Sequence, residues 1–171
     1  AAGESVAMWG SNGAGKTTII RCILGLLEYE GSIKVNGLDL KHHGKAIRRL
    51  VGYVPQELEL HEDLSVVDTM IFYSHFKKSD QGTIPKLLKD MELLEHSEKL
   101  VKQLSGGMKQ KLGLALALLS DPPILILDEP TANLDTYTRK SFLLQILKLK
   151  KNGKTLIFAS HRTSDILNLA D

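Results

Sequence analysis

Three short apolar runs punctuate the chain, Val6–Trp9, Ile124–Leu127 and Thr155–Ala159, each bounded by polar or turn residues, with long stretches of helical spacing between or after them. Runs of this length read as buried strands, and their alternation with helices predicts an α/β domain around a mostly parallel central sheet. Shorter strand candidates stand at Ser32–Val35, closed by Asn36-Gly37, and at Val51–Val54, stopped by Pro55; both are assigned to a smaller flanking sheet. Between Val66 and Leu100 the period changes. Val67, Met70, Ile71 and Phe76, then Leu87, Leu88, Met91 and Leu94, recur at helical spacing, which predicts a helical subdomain over residues 66–100. Residues 1–65 and 101–171 then form the core of one domain, and the apolar run Leu112–Leu119 reads as a helix inside it.

Composition narrows the class. The 171 residues are 43% apolar and 25% charged, a folded globular balance. No apolar run approaches the roughly 20 residues that span a bilayer, so any membrane role goes through a partner. Lysine and arginine exceed aspartate and glutamate by only the net charge of +2, and no nucleic acid partner is expected. The single cysteine, Cys22, falls in a helical run and reads as a packed thiol in a reducing compartment. The lead-in Ala1-Ala2-Gly3-Glu4, with no initiator methionine, reads as a chain trimmed at both ends. Two further features take bland readings. His42-His43 falls in a polar loop without further metal ligands, and Lys148, Lys150, Lys151 and Lys154 form a solvated helix end.

Candidate chemistry begins directly after the first strand. Gly10-Ser11-Asn12-Gly13-Ala14-Gly15-Lys16-Thr17 fits GxxxxGK[ST], the loop whose glycines let backbone N–H groups turn inward around phosphate oxygens. Ser11, Asn12, Gly13, Ala14, Gly15 and Thr18 are candidate phosphate contacts, Lys16 reaches the outer phosphates, and Thr17 is a candidate Mg²⁺ ligand. Ile124–Leu127 delivers Asp128 and Glu129 at a strand's C-terminal end, where open α/β sheets bind ligands. Asp128 suits Mg²⁺ and Glu129 suits a general base; the alternative is that both merely cap the turn before Pro130. Ser105-Gly106-Gly107 before an apolar helix offers a second set of anion-binding amides, or a plain helix cap.

In this order the motifs resemble those of the nucleotide-binding domain of ATP-binding cassette proteins, over nearly the whole chain. Gly10–Thr17 is similar to the Walker A loop, Gln56 to the Q-loop glutamine, Leu104–Gln110 to the signature motif, with Met108 where glutamine is usual and Lys111 where arginine is common. Ile124–Glu129 resembles Walker B with its catalytic glutamate, Ala132–Asp135 the D-loop, and His161 the switch histidine. The resemblance implies a P-loop ATPase in which two cassettes pair head to tail and share ATP and Mg²⁺ between Walker A of one and Ser105-Gly106-Gly107 of the other. It further implies catalytic roles for Glu129, His161 and Gln56, the last also at the metal, and a nucleotide contact for Asp135. The family places such a domain on the cytoplasmic face of a membrane, bound to integral membrane transporter subunits, and the stretch Glu57–Phe76 is most similar to the exporter branch. The alternatives are a soluble cassette ATPase acting on ribosomes or chromosomes, and a nucleotide-regulated module that does not turn over. Only about fifty residues of amphipathic helix separate Gln56 from Leu104, too few for the long coiled coil of chromosome-acting members. The aromatic residue on which the family stacks adenine belongs to an upstream strand not present in this sequence, so the phosphates are expected to carry the binding. Trp9 and Tyr53 are expected to pack in or beside strands.

Overall fold

The computed structural model describes residues 3–171; the first two residues of the lead-in, Ala1 and Ala2, lie outside the described residues. The chain runs β1 (Ser5–Trp9), α1 (Lys16–Ile23), β2 (Lys34–Val35), β3 (Leu38–Asp39), α2 (Leu40–Arg49) and β4 (Val51–Val54). It continues through α3 (Val66–Lys77), α4 (Ile84–Asp90), α5 (Gly106–Leu118), β5 (Ile124–Asp128), α6 (Thr136–Lys151), β6 (Thr155–Ser160) and α7 (Thr163–Leu169). The central sheet has the order β1-β6-β5-β4, with every neighbouring pair parallel.

β5 shows why a continuous apolar run makes a central strand. Successive side chains point to opposite faces. Leu125 and Leu127 therefore enter one core, and Ile126 enters the other. The first core joins Met70, Leu88 and Leu93 of the helical segment to Leu112, Phe142 and Phe158, and the second packs Ile20 and Leu24 against Ile126 and Ala159. Each aliphatic side chain so buried contributes about 1.5–3 kcal/mol relative to an exposed one. Between β4 and α5 the described residues form α3, α4 and short 3₁₀ turns; the bridge of Ser65 with Leu100 closes the two ends of this segment on each other, and its core side chains and the Lys77 Nζ bond to the Leu116 carbonyl at 2.8 Å tie it to the rest.

Several expectations are corrected. Val51–Val54 is no part of the flanking sheet: it pairs parallel with Ile124–Leu127 as the fourth strand of the central sheet. It is a short edge strand, and Pro55 ends it without excluding it. The small sheet instead pairs Lys34–Val35 with Leu38–Asp39, a strand too short to read from sequence. Asn36 (φ +49°) and Gly37 (φ +77°) form its tight turn, the left-handed pair that a two-residue hairpin requires. His42 and His43 lie in α2, not in a loop. The Asp39 carboxylate caps that helix by accepting from the Lys41 amide at 2.9 Å, and buried Leu40 and Ile47 anchor one face. Trp9 is 70% exposed at the end of β1 rather than packed, and Cys22 is only partly buried. The lysine cluster is not simply solvated. Lys150 Nζ donates to the Leu169 carbonyl at 2.9 Å, and Lys154, beyond the end of α6, donates to the Pro122 carbonyl at 2.8 Å.

Candidate nucleotide site

The loop between β1 and α1 is built around Gly15. It sits at φ +86°, a left-handed conformation open to glycine, and precedes α1 without a side-chain cap. The first-turn amides of α1 are thereby left for an anion, at the positive end of the helix. Lys16, 8% exposed, folds back across the loop. Its Nζ donates to the Gly10 carbonyl at 2.8 Å and the Ser11 carbonyl at 3.0 Å, and stands 3.2 Å from Glu129 Oε1. Residues 12–18, Gln56 and Glu129 line a cleft of about 340 Å³ over this loop. Ser11 contributes its carbonyl rather than a wall of the cleft. Volume alone would favour a cleft of about 570 Å³ between α2, α3 and α5, but Lys45, Arg48, Arg49, Lys77 and Lys78 line it and none of the loop residues does. Chemistry selects the smaller space.

Two carboxylates stand at the end of β5, Glu129 lining the cleft and Asp128 bonded to the cleft residue Thr17. Asp128 is buried, its Oδ1 accepting from the Thr17 hydroxyl at 3.2 Å. Its Oδ2 is buried with no hydrogen-bond partner. Burial pushes the Asp128 carboxyl above its ordinary pKa, with the Glu129 charge adding to the effect and the Thr17 hydroxyl, Arg21 and Lys16 opposing it. A hydroxyl and an orphaned carboxylate oxygen side by side form a hard-oxygen pair that fits Mg²⁺. A carboxyl whose folded pKa is raised stabilises the fold while protonated and loses that contribution as pH rises through the raised value. Asp128→Asn, which keeps the Thr17 hydrogen bond and removes the buried charge, is therefore expected to raise thermal stability at pH 7. The rise is roughly 2–4 °C if about 1 kcal/mol is recovered. Scanning calorimetry at pH 7 and pH 5 checks this, with a smaller gain expected at the lower pH.

Glu129 has a non-glycine backbone at φ +47°, a conformation worth about 1–3 kcal/mol of strain. Its amide donates to the Ala159 carbonyl, and its own carbonyl accepts from the Ala132 amide, both at 3.1 Å, so the strained residue is held from two sides. The side chain is 6% exposed. Oε2 lies 2.8 Å from His161 Nδ1 and 3.4 Å from the His161 amide. An ionised carboxylate only accepts, so this contact assigns the ring proton to Nδ1 and leaves Nε2 free. Oε1 is close enough to Lys16 for an ion pair but off the hydrogen-bond line, and so has no donor. Lys16, Glu129 and His161 thus form a continuous chain of contacts that starts at the cleft wall and ends at His161, which does not itself line the cleft.

Other candidates are placed differently. Gln56 lines the phosphate cleft and also an adjoining space of about 240 Å³, shared with Gly106, Glu129 and residues 132–134. Ser105 and Gly107 line neither space. The Ser105 hydroxyl accepts from the Met108 amide at 3.3 Å as the cap of α5. Gly107 is pressed against α6, where an added Cβ would fall 2.1 Å from Thr138 Cγ2. Asp135 likewise caps its own helix, accepting from the Tyr137 and Thr138 amides at 3.0 Å, and hydrogen bonds from Thr138 lead the set that holds its carboxyl below the ordinary value. Within one chain Ser105, Gly107 and Asp135 do not line the cleft over the Gly10–Thr17 loop, and the expected partner of Ser105 and Gly107 is the loop of a second cassette. Sequence reasoning missed Thr131, Arg162 and Asp165, which gather beside the Glu129–His161 contact; only the position of Arg162 next to His161 gave any signal.

The profile of the ABC transporter family matches residues 1–132, and the chain belongs to that family. It is 38% identical over 176 residues to the Nod factor export ATP-binding protein I of Rhizobium meliloti (strain 1021), covering 100% of this chain and 52% of that protein. The chain thus spans about half the length of that relative. Among solved structures, the ATP-binding cassette MJ0796, in a dimeric post-hydrolysis state bound to ADP and Pi, is similar with a TM-score of 0.87 at 27% identity, over 99% of this chain and 79% of that one. CbiO1 from Clostridium perfringens, part of the ABC transporter complex cbiONQ, has a TM-score of 0.87 at 27% identity, over 98% and 71% respectively. The fold is that of a cassette ATPase.

Proposed function

We propose that this chain binds ATP on the Gly10–Thr17 loop and hydrolyses it to power substrate movement by membrane-spanning partner subunits, in the export direction. The observation that carries the reading is the contact chain Lys16–Glu129–His161, whose first two members line the cleft over the Gly10–Thr17 loop. Lys16 holds two loop carbonyls and pairs with Glu129, so a triphosphate entering the loop competes for the same ammonium. Once Lys16 turns to the phosphates, the Glu129 carboxylate is released from that ion pair and its Oε1 is left facing the cleft. Glu129, kept in place by the His161 Nδ1–H, then accepts the proton of the attacking water, while the lone pair on the imidazole's Nε2 is available to accept a hydrogen bond from that same water. Thr17, Asp128 and Gln56 would hold Mg²⁺, which when bound supplies charge neutralisation to the phosphates.

Ser105, Gly106 and Gly107 are proposed to act on the nucleotide of a second cassette, as the dimeric state of MJ0796 supports. Asp135 is proposed to work at that same interface. Residues 66–100 are proposed as the subdomain that docks the membrane subunits. His61, on the segment after Gln56, packs edge-to-face on Phe72 with centroids 5.4 Å apart, and Phe72 in turn meets Phe76, which is 73% exposed. Among the described residues no helix is long and apolar enough to cross a membrane. The proposed placement is peripheral, on the cytoplasmic face, with the translocation path supplied by partner subunits. The test is purification of the full-length protein from detergent-solubilised membranes. Co-purification of an integral membrane protein that stimulates its ATPase supports the reading, and a ribosome or DNA in its place overturns it.

The residues lining the phosphate cleft include no aromatic side chain. The 171-residue chain is therefore expected to bind ATP and inorganic triphosphate with comparable affinity. The lone tryptophan, Trp9, is exposed directly before the loop, and its fluorescence is expected to follow binding. Clear preference for ATP in that titration would mean that a base contact exists.

A further inference from the structure

The sheet pairing between β5 and β6 ends at Asp128 with Ala159, yet the two segments stay tied beyond it. Glu129 meets His161 through its carboxylate. Past Glu129, the Thr131 hydroxyl donates to Asp165 Oδ2, and Arg162 Nη2 donates to the Ala132 carbonyl at 3.3 Å. Side chains thus carry the register of two strands out into the loops that hold the cleft's reactive groups.

Asp165 is the costly member of this set. It is 2% exposed on α7, and Thr131 is equally buried. Its second oxygen, Oδ1, has no hydrogen-bond donor and lies 3.9 Å from Arg139 Nε, on the first turns of α6. A carboxylate buried with one hydrogen bond and one distant cation is poorly compensated for its lost hydration. That makes it a weak device for stability, and its placement points to geometry. It touches the loop 131–135 through Thr131, α6 through Arg139, and shares α7 with the residues just after His161. Glu129, two residues before Thr131, sits in a strained backbone that its surroundings must over-determine.

We propose that Asp165 is a positioning residue for hydrolysis: by accepting the Thr131 hydroxyl it locks the loop after Glu129 to the segment after His161, and so holds the Glu129–His161 contact in register. It touches neither phosphate nor water itself. The inference rests on the reading of Glu129 and His161 given above.

The test is steady-state ATP hydrolysis by the full-length protein. Thr131→Val keeps the shape of the side chain and removes the donor. It is expected to lower kcat about tenfold while KM for ATP stays within about twofold, because misplacement affects the reacting groups and not the phosphate loop. Thr131→Ser, which restores the hydroxyl, is expected to return kcat to near wild type, a rescue that a packing role would not produce. If thermal unfolding shows that Thr131→Val has not folded, Thr131→Ala against Thr131→Ser makes the same comparison. Unchanged kcat, a matching rise in KM, or failure of serine to rescue overturns the proposal. Glu129→Gln in the same assay separates the two readings. If it keeps turnover, the reading of the site fails; if it is inactive while Thr131→Val is at wild-type kcat, only the role of Asp165 fails.

Discussion

Glu129→Gln in the full-length protein is expected to lower steady ATP hydrolysis at least 100-fold, a loss of about the size that removal of a general base produces, while leaving nucleotide binding intact. The amide keeps the volume of the side chain, and its oxygen can still accept from His161 Nδ1, which stands 2.8 Å from Oε2 in the wild type. What it cannot do is take a proton from water. It also removes the anion beside Lys16, freeing the ammonium that Glu129 now holds at 3.2 Å. Affinity for ATP should therefore hold or rise, and because product formation no longer empties the site, an ATP-bound pair of cassettes should accumulate. Phosphate release measures the first effect, and size-exclusion chromatography with and without ATP measures the second. Normal turnover in this variant would remove Glu129 from the base role. Lost turnover together with lost affinity would show that its main work is to hold Lys16.

The pattern along the chain made the long central strands readable because burial on both faces demands an uninterrupted apolar run, as in Ile124-Leu125-Ile126-Leu127. Val51–Val54 shows where that logic stops. Four residues ended by a proline carry too little signal to say which sheet they join, and its partner, β5, lies some seventy positions further on, a separation that periodicity does not see. α2 was hidden by Gly44 in its middle and by adjacent histidines, although the cap at Asp39 and the spacing of Leu40 and Ile47 were present in the sequence. The phosphate loop was legible because its chemistry is local, contained within Gly10–Thr17. The clamp of Thr131 and Asp165 was not, because it joins residues 34 positions apart through side chains of ordinary type. Ser105 and Asp135 show the converse. Both were marked by motif order, and in the single chain both are helix caps, so the role proposed for them at a second cassette rests on that order and not on a contact within the chain.

Lys16→Ala should weaken nucleotide binding itself, by about 10–100-fold, the range expected when a charge-assisted contact to phosphate is lost. The variant has a second consequence that comes from the fold. Lys16 is the cation beside Glu129, and both side chains are more than nine-tenths buried. Removing one member of a buried pair leaves the other charge uncompensated and typically costs about 3–5 kcal/mol; the His161 hydrogen bond that Glu129 retains places this case toward the lower end. A drop in affinity could then be blamed on a damaged fold. The double variant Lys16→Ala/Glu129→Gln separates the two, because it removes both charges from the cleft. Its thermal stability is expected to recover most of what the single variant loses, a non-additivity diagnostic of direct contact. Its affinity for ATP, followed through Trp9, is expected to remain low, since no cation is left to meet the outer phosphates. If stability and affinity recovered together, Lys16 would be a structural partner of Glu129 and the phosphate grip would have to lie in the backbone amides of the loop alone.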